Sequence, residues 1–278
     1  MRTVAIAGVG LIGGSFGLAL RRAGFTGEII GVSSPSTLSA ALKLGAISSG
    51  ATLETAAKQA DLIYLAQPVD RILETLAALG PMLRPGCLVT DAGSTKVMIV
   101  DQANASLPPG CFLGGHPLAG KEQRGVESAD PDLFRDRPYV LTPSGSEPPA
   151  AGKFREWLAR FGSKVLQMSP AEHDAAVAYT SHLPQLLSTS LAATLASQDN
   201  GFTTQVFGPG LLDMTRLALS SPDLWQSILS TNQAEVRAAL DSLIKSLRQV
   251  RESIGTEDLT SFFSIGKTFA MKIRNVDY

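Results

Sequence analysis

Two short polar runs carry the side chains best suited to chemistry. Asp91-Ala92-Gly93-Ser94-Thr95-Lys96 and Gly114-Gly115-His116-Pro117-Leu118-Ala119-Gly120 each close an apolar run of strand length. A histidine at a strand exit can act as a general base, since an unperturbed imidazole titrates at about pH 6.5. Ser94 can fix a hydroxyl or an amide beside it. Other roles stand next to these: Ser94 and Thr95 can cap the helix that follows, and His116 before Pro117 can be a turn residue. A third exit, Leu65-Ala66-Gln67-Pro68, either lies over a bound ligand through Gln67 and Pro68 or is an ordinary strand-to-helix turn.

A glycine run adds a second kind of chemistry. Gly8-Val9-Gly10-Leu11-Ile12-Gly13 matches G-x-G-x-x-G, follows an apolar strand directly and opens a helix. In that setting Gly8 permits the tight turn, Gly10 lets the backbone approach a pyrophosphate, and Gly13 lets helix and strand pack closely. The helix start at Leu11 and Ile12 then offers N–H groups to the phosphates of a dinucleotide. An NAD site normally places an acid about 20 residues further on, against the adenine ribose. Here that place holds Ser33, followed by Ser34, Pro35, Ser36 and Thr37, while Glu28 lies at the start of the strand, its wrong end. Without a carboxylate a 2′-phosphate is not repelled, and Ser33, Ser34 and Thr37 can donate to it. NADP is therefore favoured over NAD, although no arginine follows Ser33 to clamp a phosphate.

These residues need a scaffold that gathers strand ends. Strand-like runs at Thr3–Ala7, Glu28–Val32, Asp61–Ala66, Cys87–Asp91, Cys111–Gly115, Tyr139–Thr142 and Lys164–Gln167 alternate with helical patterns such as Ile12–Ala23, Thr37–Leu44, Val69–Leu83 and Pro149–Phe161. The alternation predicts an α/β fold over residues 1–168, a Rossmann-type, mainly parallel sheet with helices on both faces. Strand signals fade at Ser169-Pro170-Ala171-Glu172, which has the form of a helix start with a capping box. Residues 169–278 read as an all-α domain. Within it Val236, Leu240, Leu243, Leu247, Val250 and Ile254 recur at spacings of four and three, flanked by the charge pairs Asp241/Lys245 and Arg248/Glu252. So narrow a seam calls for a second helix, and a homodimer through this domain is expected. Trp225, beside the polar Ser220-Ser221-Pro222-Asp223, reads as an exposed interface anchor.

Composition excludes several classes. With 24 Lys and Arg against 25 Asp and Glu, the net charge of −1 gives no reason to bind nucleic acid or an anionic membrane. An apolar share of 44% and a charged share of 18% exclude a disordered or collagenous chain. Cys87 and Cys111 are too few for a disulfide framework and form no CxxC pair. They read as reduced, buried strand residues of a cytoplasmic protein, with no metal expected. The uncharged stretch Thr3–Leu20 suggests a signal peptide or a membrane span. Glycines interrupt it, however, and Arg21-Arg22 follow it rather than precede it.

Taken in order, the motifs resemble the prephenate/arogenate dehydrogenase family nearly end to end. Those that carry the resemblance are Gly8-Val9-Gly10-Leu11-Ile12-Gly13-Gly14-Ser15, Asp91-Ala92-Gly93-Ser94-Thr95-Lys96 and Gly115-His116-Pro117-Leu118-Ala119-Gly120. In the helical part they are Glu172-His173-Asp174, Ser181-His182-Leu183-Pro184 and Asp213-Met214-Thr215-Arg216, with Trp225 at the family's spacing. The resemblance implies oxidative decarboxylation of prephenate or arogenate with NAD(P)+, giving 4-hydroxyphenylpyruvate or tyrosine. It implies that His116 takes the proton of the ring hydroxyl, that Ser94 holds the same hydroxyl, and that His182 and Arg216 bind the substrate carboxylates, a guanidinium fork suiting a carboxylate well. Lys121 would be a rim residue near the substrate. In some relatives residues at the Asp213 and Trp225 positions reach the partner's site as a gate. His173 itself reads as a structural first-turn residue, and Arg216 can alternatively pair with Asp213 on the surface.

The chain ends soon after the seam helix, leaving no room for the regulatory domain or fused chorismate mutase of some relatives, so tyrosine feedback would act at the active site. Two other readings share the architecture. A dehydrogenase of the 3-hydroxyacid or 6-phosphogluconate type would use a lysine base on the helical domain. A non-catalytic, dinucleotide-binding redox sensor would have no need of Ser94, His116 and Arg216 together.

Overall fold

The computed structural model describes residues 1–145, 147–198 and 201–274. The chain folds into two compact units. One comprises Met1–Asp174 and Ser220–Thr231, the other Ala175–Leu219 and the chain from Asn232 onward.

The first unit is built on strands β1 (Thr3–Ala7), β2 (Glu28–Val32), β3 (Ser49–Gly50), β4 (Leu62–Leu65), β5 (Leu88–Asp91), β6 (Phe112–Pro117), β7 (Pro138–Thr142) and β8 (Lys164–Gln167). Among the described residues they form one sheet in the order β3-β2-β1-β4-β5-β6-β7-β8, parallel throughout except between β6 and β7. The first six follow the dinucleotide-binding order, with its switch point between β1 and β4. All four residues of β4 are buried, as a strand covered on both faces requires.

Helices α1 (Leu11–Arg22), α2 (Pro35–Lys43), α3 (Leu53–Gln59), α4 (Val69–Leu79), α5 (Val97–Ser106) and α6 (Ala151–Arg160) complete the βαβ units. One apolar cluster joins α1 and α6 to the sheet, with Phe16 stacked on Tyr64 at 3.9 Å between ring centroids. A second cluster, with Ile63, Val89, Ile72, Leu76 and Ile99, joins α4 and α5 to it.

The two-residue β3 and the seven-residue α3 are absent from the expected elements. Neither is long enough to show a period. Pairing of Ile30 with Ser49 and of Gly31 with Gly50 makes the strand, and Thr52 caps the helix by accepting from Thr55 N at 3.3 Å. Cys87 and Cys111 each stand one residue ahead of a strand, not within it. Cys87 is buried and Cys111 half-buried, which corrects the expectation of two buried strand residues, and both are free thiols.

Beyond the sheet come α7 (Pro170–Val177), a π-turn at Ala178–His182, α8 (Leu183–Ser197), α9 (Pro209–Thr215), α10 (Pro222–Thr231), α11 (Gln233–Ser253) and α12 (Asp258–Arg274). The capping box at Ser169 is formed: its Oγ accepts from Glu172 N at 3.2 Å, and Glu172 Oε2 accepts from Ser169 N at 2.8 Å. The start of α7 and the whole of α10 belong to the sheet unit, whereas a division at residue 168 assigns both to the helical half.

Along the seam of α11, Val236 is buried, but Leu247 is 52% and Ile254 68% exposed. The charge pairs expected beside it are not made. Arg251, rather than Arg248, approaches Glu252 at 3.8 Å, and among the described residues Asp241 and Lys245 form no ion pair. Long exposed side chains gain little from such contacts in water. Among the described residues no helix is long and apolar enough to cross a membrane.

Candidate functional site

The glycine run sits at the C-terminal end of β1. Gly8 has φ +88°, and a Cβ there would lie 2.6 Å from Ala66 O; at Gly13 it would lie 2.1 Å from Gly8 O. Both glycines are therefore required by the chain's own packing. At Gly10 a Cβ would meet nothing within 4 Å, so this glycine borders open space. The first turn of α1 has no side-chain cap and no acidic residue. Backbone N–H groups at a helix start beside an unfilled cradle suit a pyrophosphate, so the residues present fit a dinucleotide.

A cleft of about 400 Å³ continues from there, lined by Leu11, Ile12, Gln67, Pro68, Ser94 and Lys121 among others. Gln67 is anchored by Thr75, whose Oγ1 donates to its Oε1 at 2.9 Å. Leu224, Ser227 and Ile228 of α10 also line the cleft, a wall that no sequence motif marks. At the end of β2, Ser33 is exposed. Ser34 is committed to capping α2, accepting from Thr37 N at 3.4 Å with its Oγ 2.9 Å from Thr37 Oγ1. Glu28, at the opposite end of β2, accepts from Ser49 Oγ at 2.9 Å.

Behind Ser94 lies a fully buried ion pair. Lys96 Nζ donates to Asp91 Oδ2 and, at 2.8 Å, to Gly115 O. Asp91 in turn accepts from Gly93 N at 2.8 Å and from Gly115 N at 3.0 Å. One carboxylate thus ties the Ser94 loop to the strand position before His116. Burial pushes the Lys96 ammonium below its ordinary pKa, against the pull of Asp91 and Asp174.

Neither Ser94 nor Thr95 caps α5. Thr95 Oγ1 lies 2.8 Å from Thr231 Oγ1 of α10. The cap comes from Asp174, whose Oδ1 accepts from Lys96 N at 2.7 Å and whose Oδ2 accepts from Val97 N at 2.9 Å. His116 is no turn residue either: it lies within β6, opposite Val140 of β7, and is buried. It does not line the cleft that Ser94 lines. Its Nδ1 is 2.8 Å from His173 Nε2, and His173 Nδ1 is 2.7 Å from Asp174 Oδ1. The first-turn histidine expected to be merely structural is thus bonded to the candidate base.

Lys121 at the cleft rim pairs with Asp130 at 2.8 Å. Trp225 is half-buried and packs on the apolar cluster of the α4 and α5 face, which corrects the expectation of an exposed anchor. In the helical unit His182 closes the π-turn, is 1% exposed, and its Nδ1 accepts from Asn232 Nδ2 at 3.4 Å. Arg216 and Asp213 are exposed, at the end of and within α9. Among the described residues no group of three or more His, Cys, Asp or Glu is placed to hold a metal ion.

Comparison with known proteins places this geometry. The family model described as prephenate dehydrogenase, nucleotide-binding domain, matches residues 16–167, and that for the prephenate dehydrogenase dimerization domain matches residues 169–268. Prephenate dehydrogenase of Bacillus subtilis is 34% identical over 275 residues, covering 96% of this chain and 74% of the relative. The crystal structure of prephenate dehydrogenase from A. aeolicus, in complex with hydroxyphenyl propionate and NAD+, superposes with a TM-score of 0.92 at 33% identity, covering 98% of both chains. That of Synechocystis arogenate dehydrogenase superposes with a TM-score of 0.85 at 32% identity, covering 98% of this chain and 99% of the other. With both halves matched in order on the expected fold, the chain belongs to the prephenate dehydrogenase family of oxidoreductases.

Proposed function

We propose that the chain oxidises and decarboxylates prephenate or arogenate, with His116 as general base. The observation that carries this is the buried His116 near the C-terminal end of β6, hydrogen-bonded to His173 of α7, in a sheet whose glycine cradle fits a dinucleotide. In the substrates a ring hydroxyl and a ring carboxylate sit on one cyclohexadiene. Bound NAD(P)+ supplies the hydride acceptor. His116 accepts the hydroxyl proton as the carbinol carbon gives up its hydride; loss of the ring carboxylate as CO2 then sends an electron pair into the ring, which becomes aromatic, and the oxygen takes the proton back from His116 as a phenol. Ser94 holds the same hydroxyl, and His182 and Arg216 bind substrate carboxylate. Aromatisation drives the reaction, so what remains for the protein is positioning and control of charge. A 3-hydroxyacid-type enzyme or a redox sensor is not favoured, given the family.

The cradle at Gly8, Gly10, Leu11, Ile12 and Gly13 would hold the pyrophosphate, with Gln67 and Pro68 over the cofactor. NADP is favoured over NAD because Ser33, not an acid, stands exposed at the end of β2. A homodimer through the helical unit is supported by the matched dimerization domain and by the exposed Leu247, Ile254, Phe263 and Phe269. Asp213 would serve the gate, and a cytoplasmic setting is supported by the two free thiols. The test is direct: purified protein is given prephenate and then arogenate, each with NAD+ and with NADP+, and nicotinamide reduction is followed. No reduction in any of the four mixtures would overturn the reading.

A further inference from the structure

We propose that His173 and Asp174 fix the tautomer of His116, making its Nε2 the base nitrogen, and that they share the positive charge this base acquires. The proposal rests on the reading of His116 as the base. It follows from the polarity of one chain of hydrogen bonds, traced from its charged end. Asp174 is 2% exposed, and its two oxygens accept the backbone N–H groups of Lys96 and Val97 at the start of α5. A carboxylate so placed is an acceptor only. His173 Nδ1, 2.7 Å from Asp174 Oδ1, must therefore carry a hydrogen and donate it. In the neutral ring its Nε2 is then a lone pair. That atom is 2.8 Å from His116 Nδ1, so His116 donates from Nδ1 and keeps its own lone pair on Nε2. Both rings are buried, His173 to 1% exposure, which leaves water little access to either bond.

The surroundings favour this order. The other titratable groups on elements packed against β6 are Asp91 on β5, Lys96 ahead of α5, the solvent-exposed Asp101 on α5 and Tyr139 on β7. Asp91 and Lys96 are paired with each other, and burial raises the Tyr139 phenol well above its ordinary range, so it stays protonated. Asp174 is thus the negative charge in the chain of bonds that ends at His116.

The proton count closes. His116 Nε2 takes one proton from the substrate hydroxyl. Its Nδ1 proton can then pass to His173 Nε2, which leaves His116 neutral in the opposite tautomer and His173 an imidazolium against Asp174. Once the ring is aromatic both protons move back: His116 Nε2 returns one to the phenolate oxygen and His173 returns the other to His116 Nδ1, so the product is a phenol and the relay is reset. The relay passes no proton to Asp174, and no electrons move within it. Removal of the relay would leave the new charge on one buried ring, so His173 and Asp174 are positioning residues that act through His116.

Only three histidines occur in the chain, so a long-range 1H–15N spectrum of 15N-labelled protein above the imidazole titration range reports every ring. The expected result is Nδ1–H for both His116 and His173, with His182 as the contrast, because its Nδ1 accepts from Asn232. A hydrogen on His116 Nε2 would overturn the proposal. Kinetics of folded variants supply the second arm. His116→Asn should lower kcat by roughly 10²–10⁴-fold. His173→Asn should lower it by a smaller factor, roughly 10–100-fold, with KM little changed and the acid limb of the kcat profile moved to lower pH, because the charge on His116 has lost its stabilising partner. If His116→Asn keeps near-normal kcat, the base assignment itself fails. If His116→Asn is inactive while His173→Asn keeps both kcat and the acid limb, the relay fails and the base stands.

Discussion

On the proposed reading, cofactor choice turns on Ser33. An acid introduced there would accept from ribose hydroxyls and repel a 2′-phosphate. Ser33→Asp should therefore lower kcat/KM for NADP+ by far more than for NAD+; equal losses would mean that Ser33 does not meet the ribose. Arg216→Ala should raise the KM for substrate by roughly tenfold or more and leave cofactor affinity intact, since a carboxylate loses its partner. A loss of cofactor affinity with unchanged substrate KM would move Arg216 to the other site.

The thiols allow a simpler check. Burial pushes Cys87 up to about 12, so its thiol stays protonated near neutral pH. Cys111, raised by burial too but half-exposed, should react first with Ellman's reagent, and Cys87 only on unfolding. Labelling of both at one rate would contradict the burial. The limits of sequence reading also show at this scale. Ser94 and His116 stand out in the sequence as candidates because reactive side chains fall near the ends of strand-like runs. His173 was read as structural because nothing in the sequence tells that residue 173 meets residue 116, a contact made by tertiary packing alone.

At the scale of elements, the site depends on how β5, β6, α5 and α7 are tied together. Lys96 and Asp91 are both fully buried, and loss of one partner strands the other's charge and the two backbone N–H groups that Asp91 holds. Lys96→Met should cost on the order of 3–5 kcal/mol, which lowers Tm on the order of 10 °C by calorimetry. An unchanged Tm would show that the pair adds nothing to stability. The seven longer strands and the larger helices were legible from period and from glycine punctuation, because their burial is two-sided or amphipathic. The cap of α5 was not. Ser94 and Thr95 had the right chemistry at the right place, yet Asp174, dozens of residues away in sequence, satisfies those N–H groups. Capping rules weigh local candidates and have no means of weighing distant ones.

For the whole molecule, the uncovered half of the α11 seam decides the expectation. Leu247 on α11 and Ile254 just past its end, with Phe263 and Phe269 on α12, are each more than half exposed, and water is a poor neighbour for so much apolar surface. Sedimentation at micromolar concentration should give about twice the chain mass of 29.2 kDa, and Leu247→Asp should dissociate or unfold the protein. A monomer that remains fully active on dilution would refute the dimer.

The course of the chain carries one more consequence. It leaves the sheet unit after Asp174, returns for Ser220–Thr231, and leaves again. A chimaera that joined residues 1–174 of this chain to the remainder of a relative would therefore exchange more than the helical unit. It would import the donor's counterparts of Leu224, Ser227 and Ile228 into the cleft, and of Thr231 against Thr95. Cofactor affinity in such a hybrid would follow the donor of the C-terminal part, so the two parts are not interchangeable modules.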